Sequence, residues 1–234
     1  MHAVVPVKTT AAAKRRLSPV LNAAERAGLA AAMARDVLAS LAGQPGLDGL
    51  WLCAPAGAGA EALAQAAGVG LLVEAAGGGL NAAVSRAARQ LASQGADDIL
   101  IVHGDLPLLA RAEVAAFIGA HRRRAPAPQV TVCPDHHGVG TNLLAWRPLT
   151  SFTPAFGRDS FARHQAVAAA AGQPIMVFNI PVGRFDIDEP ADLMALLNQQ
   201  HGDRACHALA YLHGQGVTRR LAAVLPNSLG VQEG

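Results

Sequence analysis

The sequence predicts an α/β fold with a mostly parallel central sheet, and three observations carry that reading. Short apolar runs alternate with longer segments of helical period, the pattern of βαβ units. The first long segment has one apolar stripe, as a helix lying on a sheet does. The chain has 234 residues, 51% of them hydrophobic, enough to bury one sizeable core and of a length for one main domain.

In order, "AVVPV", "LWLCA", "GLLVEA" and "DILIVHG" read as strands, and residues 23–42, 59–67, 81–94 and 111–124 read as the helices between them. In the segment 23–42, Leu29, Met33, Val37, Leu38 and Leu41 recur at three- and four-residue steps, while Glu25, Arg26, Arg35 and Asp36 lie largely off that stripe. After Pro126 the pattern changes. "QVTVCP", "TNLLAW" and "PIMVFNI" are strands, separated in part by the long loop "TSFTPAFGRDS", and a loop of that length in a compact domain is more often functional than connective. The segment "FDIDEP" also reads as a strand, followed by a helix over 190–199 with proline in its first turn. These elements give a domain over residues 1–200 and a helical extension over 201–234, which packs on the body or on a second subunit as a homodimer contact, or hands product to a following enzyme.

The net charge of +2 provides no broad basic field for nucleic acid. Lys8, Lys14, Arg15 and Arg16 instead crowd near the N-terminus and suggest a local anion site. Cys53, Cys133 and Cys206 are odd in number, far apart and in no CxxC spacing, which suggests neither a disulfide framework nor a thiolate zinc site and fits a cytoplasmic protein. "MHAVVPVK" is too short for the core of a signal peptide. No stretch reaches the roughly 20 apolar residues needed to span a bilayer, so no membrane is expected.

Four stretches have the residue types for chemistry. "VPVKTTAAAKRRLS" is a strand running into a small-residue loop with cations, and it can present backbone N–H groups with Lys8, Lys14 or Arg16 to a phosphate chain, although it is neither a Walker loop nor a dinucleotide fingerprint. "AGGGLNAAV" can open a helix at Gly79 and Asn81 while letting backbone approach a ligand, but taken alone it reads better as a plain helix start. In "HGDLPLL", Asp105 follows a buried strand. It is either a turn carboxylate or a group that faces phosphates through a cation such as Mg²⁺. Asp186 and Asp188 in "FDIDEP" are two apart and share a face of the expected strand, so acids in two places with nearby cations favour the metal reading.

The fourth stretch, "CPDHHGVGTNLLAW", holds Cys133, Asp135, His136 and His137, yet its spacing matches no zinc motif. It reads better as a glycine-rich loop that brings Thr141 and Asn142 to an oxyanion. "FGRDSFARH" would complete such a site, with Gly157 allowing close backbone approach and Ser160 near a helix start whose N–H groups favour an anion.

Together "VPVK....AK.RLSPVL...ER", "GLN.AV", "DLPLL", "PD..G.GTN.L", "FG..SF..H" and "DID.P.DL" resemble the CofC/FbiD guanylyltransferases of coenzyme F-420 biosynthesis, within the glycosyltransferase-A-like nucleotidyltransferases. The resemblance runs from about residue 4 to 195. It implies a single-domain, Rossmann-like nucleotidyltransferase in which GTP and a small phospho-acid condense to a guanosine diphosphate ester with release of pyrophosphate. By motif position, Thr141, Gly157 and Ser160 would hold the phospho-acid. Asp105, with Asp186 and Asp188, would hold Mg²⁺. Lys8 and Lys14 or Arg16 would face the GTP phosphates, with Asp105, Lys8 and Lys14 as the catalytic groups and Gly79 and Asn81 beside the nucleotide. Members differ in taking 2-phospho-L-lactate, phosphoenolpyruvate or 3-phospho-D-glycerate. A composition rich in alanine and arginine, as in GC-rich bacteria, disfavours the first. His103 and His164, which could pair an extra hydroxyl, tip the expectation toward 3-phospho-D-glycerate.

Two other readings compete. A molybdopterin or sugar-phosphate nucleotidyltransferase would resemble an "LAGG.S.RM" opening, which this chain replaces with "VPVKTTAAAKRRL". A nucleotide-sensing module without catalysis would be favoured by loss of Asp105 or of the second acidic pair, and both are present.

Overall fold

The structure, a computed structural model, describes residues 1–7, 14–75, 77–123, 125, 127–181, 185–198 and 206–224. Seven strands form one sheet: β1 (His2–Pro6), β2 (Gly49–Pro55), β3 (Gly70–Glu74), β4 (Ile99–Val102), β5 (Gln129–Pro134), β6 (Thr141–Arg147) and β7 (Ile175–Val177). Their order across the sheet is β3-β2-β1-β4-β6-β5-β7. β6 alone among these strands runs antiparallel to its neighbours β4 and β5. The other pairings are parallel.

Eight helices accompany the sheet among the described residues: α1 (Ala23–Leu41), α2 (Ala58–Ala67), α3 (Gly79–Ser93), α4 (Arg111–Arg122), α5 (Ser160–Ala170), α6 (Pro190–Asn198), α7 (His207–Gly214) and α8 (Val217–Val224). The period-two rule assigns their faces. Along β4, Leu100 and Val102 enter the core beneath α1, α2 and α4, while Ile99 and Ile101 enter the core beneath α3 and α5. A third cluster joins Leu29 and Met33 of α1 to Leu193 and Leu196 of α6, Leu212 of α7 and Leu221 of α8. Helix α1 starts in a reciprocal cap, in which the Asn22 side chain accepts from the Glu25 N–H and the Glu25 carboxylate accepts from the Asn22 N–H.

Helix α7 docks on α1 through two fitted features. The buried Asp36 carboxylate of α1 accepts the backbone N–H groups of His207 and Ala208, at 2.7 and 2.9 Å, and so satisfies donors at the start of α7. Gly28 leaves room for the Tyr211 ring, which a Cβ there would strike. Among the described residues no helix is long and apolar enough to cross a membrane.

Two expected strands differ. The last is confined to Ile175–Val177, because it pairs with β5 alone at the sheet edge before Ile180 turns into the core. "FDIDEP" belongs to no strand. Ile187 is instead fixed by burial in the third cluster and by its N–H, which donates to the Asp105 carbonyl at 3.2 Å.

His121 and His164 are fully buried, and burial drives each imidazole from the ordinary 6.5 down to about 4. Each ring therefore stays neutral in the folded chain over a range where the unfolded chain takes up a proton. Stability is full above pH 6.5 and falls by about 1.4 kcal/mol per pH unit per histidine as pH drops toward 4. Urea unfolding followed between pH 7.5 and 4.5 should show this slope, and His121→Gln should make it shallower.

Candidate active site

A cleft of about 470 Å³ opens at the carboxyl ends of the parallel strands. It lies where the strand order reverses, between β1, whose other neighbour is β2, and β4. Open α/β sheets bind their ligands at such a point. Pro6 and Val7 come from the end of β1 and His103, Gly104 and Asp105 from the end of β4, with Glu74 from the end of β3. Gly104 permits the approach of the two central strands, since a Cβ there would lie 2.7 Å from Val7 Cγ2 and 3.2 Å from the Pro6 carbonyl oxygen.

Lys14 reaches into this cleft and bridges two carboxylates. Its Nζ donates to Asp105 Oδ2 at 2.5 Å and to Asp188 Oδ1 at 2.7 Å. Lys14 holds left-handed backbone angles (φ 48°, ψ 48°), a conformation costing roughly 1–2 kcal/mol in a non-glycine residue. The two ion pairs offset it. Burial disfavours charge on Lys14, but Asp105 and Asp188 outweigh it and raise the ammonium above its ordinary range. Burial likewise opposes ionisation of Asp105, and Lys14, with His103, holds that carboxyl below its ordinary value. Both groups are charged at neutral pH.

The third acid is different. Asp186 is pushed up by burial and by the negative charges of Asp105 and Asp188, and its Oδ1 meets His136 Nδ1 at 3.3 Å. Asp188 is fixed from below, because Asp192 in the first turn of α6 accepts the N–H groups of Asp188 and Glu189. Arg16 also lines the cleft and pairs with Glu189 at 3.1 Å. Lys8 lies outside the described residues.

None of the expected phospho-acid residues Thr141, Gly157 and Ser160 lines the cleft itself; they lie at the start of β6 and around the start of α5. Thr141 begins β6, and its hydroxyl lies 3.0 Å from His164 Nδ1 on α5. Ser160 is buried at the first residue of α5, and Gly157 has φ +121°, a backbone region that favours glycine. Asp135 closes the preceding loop by accepting the N–H groups of Val139 and Gly140, so it is an organiser of the turn. The His103 and Phe156 rings, 5.2 Å apart, join this region to the cleft.

Asn81, expected beside the nucleotide, uses its amide differently. Its Oδ1 accepts from the Phe156 N–H at 2.7 Å and its Nδ2 donates to the Phe156 carbonyl at 3.0 Å, which fastens the loop before α5 to α3. Leu80, between Gly79 and Asn81, lines the cleft. His164 was expected to pair a substrate hydroxyl, but both of its ring nitrogens are engaged within the protein, at Thr141 and at the Ala155 N–H.

Among the described residues no three His, Cys, Asp or Glu side chains converge as a ready cage for a metal. Two features nevertheless fit a divalent cation. Asp105 Oδ1 is buried without a hydrogen-bond partner, and Asp186, pushed up by burial first and then by Asp105 and Asp188, lies in the field of two other carboxylates. Mg²⁺ needs only one or two carboxylates when substrate phosphates complete its shell.

The fold and the charged cleft at its switch point define a nucleotidyltransferase of the glycosyltransferase-A-like kind. Among solved structures the fold is similar to that of a protein described as a nucleotide-diphospho-sugar transferase from Desulfovibrio desulfuricans, with TM-score 0.74, 18% identity and coverage of 94% of this chain and 99% of that one. It is also similar to CMP:2-keto-3-deoxy-manno-octonic acid synthetase complexed with CTP, with TM-score 0.58, 14% identity and coverage of 83% and 95%. The sequence matches the model of the family described as "Guanylyl transferase CofC like" over residues 1–223, and the chain belongs to that family of guanylyltransferases. Phosphoenolpyruvate guanylyltransferase from Conexibacter woesei is 39% identical over 194 residues, covering 83% of this chain and 86% of the relative. The protein of the same name from Roseiflexus castenholzii is 39% identical over 210 residues, covering 90% and 93%.

Replacing Asp105 by Asn removes a charge from the centre of the site but leaves Lys14 paired with Asp188. Turnover should fall by roughly 10²–10³-fold, with the circular dichroism spectrum unchanged. Turnover close to wild type would take Asp105 out of the mechanism.

Proposed function

We propose that the chain condenses GTP with phosphoenolpyruvate to a guanosine diphosphate ester and pyrophosphate, as a step of coenzyme F-420 biosynthesis. The observation that carries the reaction is the ion-paired triad of Lys14, Asp105 and Asp188 at the switch-point cleft of a guanylyltransferase-family chain, with Asp186 near enough to feel both carboxylates. The choice of acid is supported by six relatives at 36–39% identity named phosphoenolpyruvate guanylyltransferase. The engagement of both His164 nitrogens within the protein removes half of the ground for a hydroxylated acid. The buried, unpartnered Nε2 of His103 keeps 3-phospho-D-glycerate as the second reading.

In this reaction a phosphate oxygen of the acid attacks the α-phosphorus of GTP. The bond from that phosphorus to the bridging oxygen breaks, and its electron pair leaves on pyrophosphate. The attacking oxygen is already an anion, so the protein supplies position and charge rather than a general base. Lys14 and Arg16, together with Lys8, would attract the triphosphate, while the helix start from Gly79 to Asn81, through its cleft-lining Leu80, would flank the nucleotide. Thr141, Gly157 and Ser160 would seat the acid at the start of α5, where backbone N–H groups favour an anion. Asp105, Asp186 and Asp188 would hold Mg²⁺, which when bound neutralises the charge developing between nucleophile and leaving group. The catalytic domain spans residues 1–200, and α7 and α8, docked on α1 and α6, belong to its extension.

Pyrophosphate release should be measured with GTP and, in parallel, phosphoenolpyruvate, 3-phospho-D-glycerate and 2-phospho-L-lactate, with ATP and CTP as controls. Release is expected with GTP and phosphoenolpyruvate, and it should stop when EDTA removes Mg²⁺. Release only with 3-phospho-D-glycerate would replace the acid while keeping the reaction. Silence with all three would overturn it.

A further inference from the structure

The buried histidine of α5 has a direction built into its hydrogen bonds. His164 is fully buried, and the rings of Phe156 and Phe152 lie 4.9 and 5.9 Å from it. Its Nε2 receives the backbone N–H of Ala155 at 3.0 Å. A backbone N–H only donates, so Nε2 is the acceptor and a neutral ring must carry its proton on Nδ1. Burial keeps the ring neutral near pH 7. Nδ1 is 3.0 Å from the Thr141 hydroxyl and therefore donates to it. A hydroxyl has one proton. With the histidine donating to its oxygen, Thr141 gives its own proton to an acceptor away from the ring.

We propose that His164 is a positioning residue that fixes the Thr141 hydroxyl as a hydrogen-bond donor toward the anionic acid. This rests on the reading that Thr141 seats the phospho-acid. A buried hydroxyl free to rotate could present either a lone pair or its proton to the ligand, and a lone pair facing an anion repels it. The Ala155 N–H removes that ambiguity, because it prevents the imidazole from turning over to become an acceptor. The chain runs Ala155 N–H to Nε2, Nδ1–H to Thr141, Thr141 O–H to substrate, with every donor pointing the same way. Cooperative polarisation along such a chain strengthens its last bond. The loop that supplies Ala155 is also the one that Asn81 fastens to α3, so the direction of this relay is fixed by the fold before any ligand arrives.

The test compares two substitutions of similar shape. His164→Asn keeps a donor where Nδ1 lies, and His164→Leu does not. Both lose the bond to Ala155, so that loss cancels between them. The KM for the acid, measured by pyrophosphate release, should stay within about threefold of wild type in the Asn variant and rise about tenfold or more in the Leu variant. The KM for GTP should be the same in both. In a Thr141→Val background the Leu substitution should add little, since it acts through the hydroxyl already removed. If the Leu variant does not fold, His164→Met, which likewise has no donor and loses the bond to Ala155, takes its place with the same expectation. Equal acid KM values in the Asn and Leu variants, or full additivity with Thr141→Val, would overturn the proposal. Absence of release by the wild-type protein with every acid would instead bring down the underlying reading, and this inference with it.

Discussion

One ammonium group holds the catalytic end of this molecule together. Lys14 comes from the loop after the first strand, Asp105 from the turn after β4 and Asp188 from the segment before α6, and Nζ joins the two acids at 2.5 and 2.7 Å. Among the described residues no strand ladder joins these three segments. The contact between Ile187 and the Asp105 carbonyl brings the last of them alongside, and the buried apolar side chain of Ile187 keeps it there. Charge organises the site, and an adjacent apolar anchor places the charges.

The arrangement also explains why burial has not silenced the acids. A desolvated carboxylate ordinarily picks up a proton. Asp105 escapes because Lys14 is desolvated with it and each stabilises the charged form of the other. Asp186, without that cation in contact, does not escape and its pKa is raised. The site thus holds one acid that Lys14 neutralises and one that it does not touch, and under the proposed function the second is where a divalent ion would add positive charge.

Much of this could be read in the sequence, and the misses have physical causes. The strands were legible because parallel strands buried on both faces show as continuous apolar runs. Asp105 stood out because a carboxylate directly after such a run has little structural reason to be there. Asp186 and Asp188 were found through an alternation that looks like a strand. The alternation has a different origin: Ile187 is an apolar anchor, and its acidic neighbours point to the site without any ladder. The partners of His164 and Asn81 could not be read, since the first bonds across 23 residues and the second across 75, and local pattern says nothing about such pairs. Asp135, grouped with histidines like a metal ligand, was organising its own loop.

The reversed strand β6 has a consequence for how specificity is encoded. A parallel strand delivers its last residue to the functional rim, whereas a strand running the other way delivers its first, and Thr141 is the first residue of β6. Under the proposed function Thr141, Gly157, Ser160 and His164, on the acid's side, lie in one stretch from the start of β6 to α5, and His103 joins them from the end of β4. The nucleotide-side groups come from outside it, at β1, β3, β4 and the start of α3. Under that reading most of the acid's recognition is written in about thirty consecutive codons and the nucleotide's elsewhere, so the first can change while the second stays as it is.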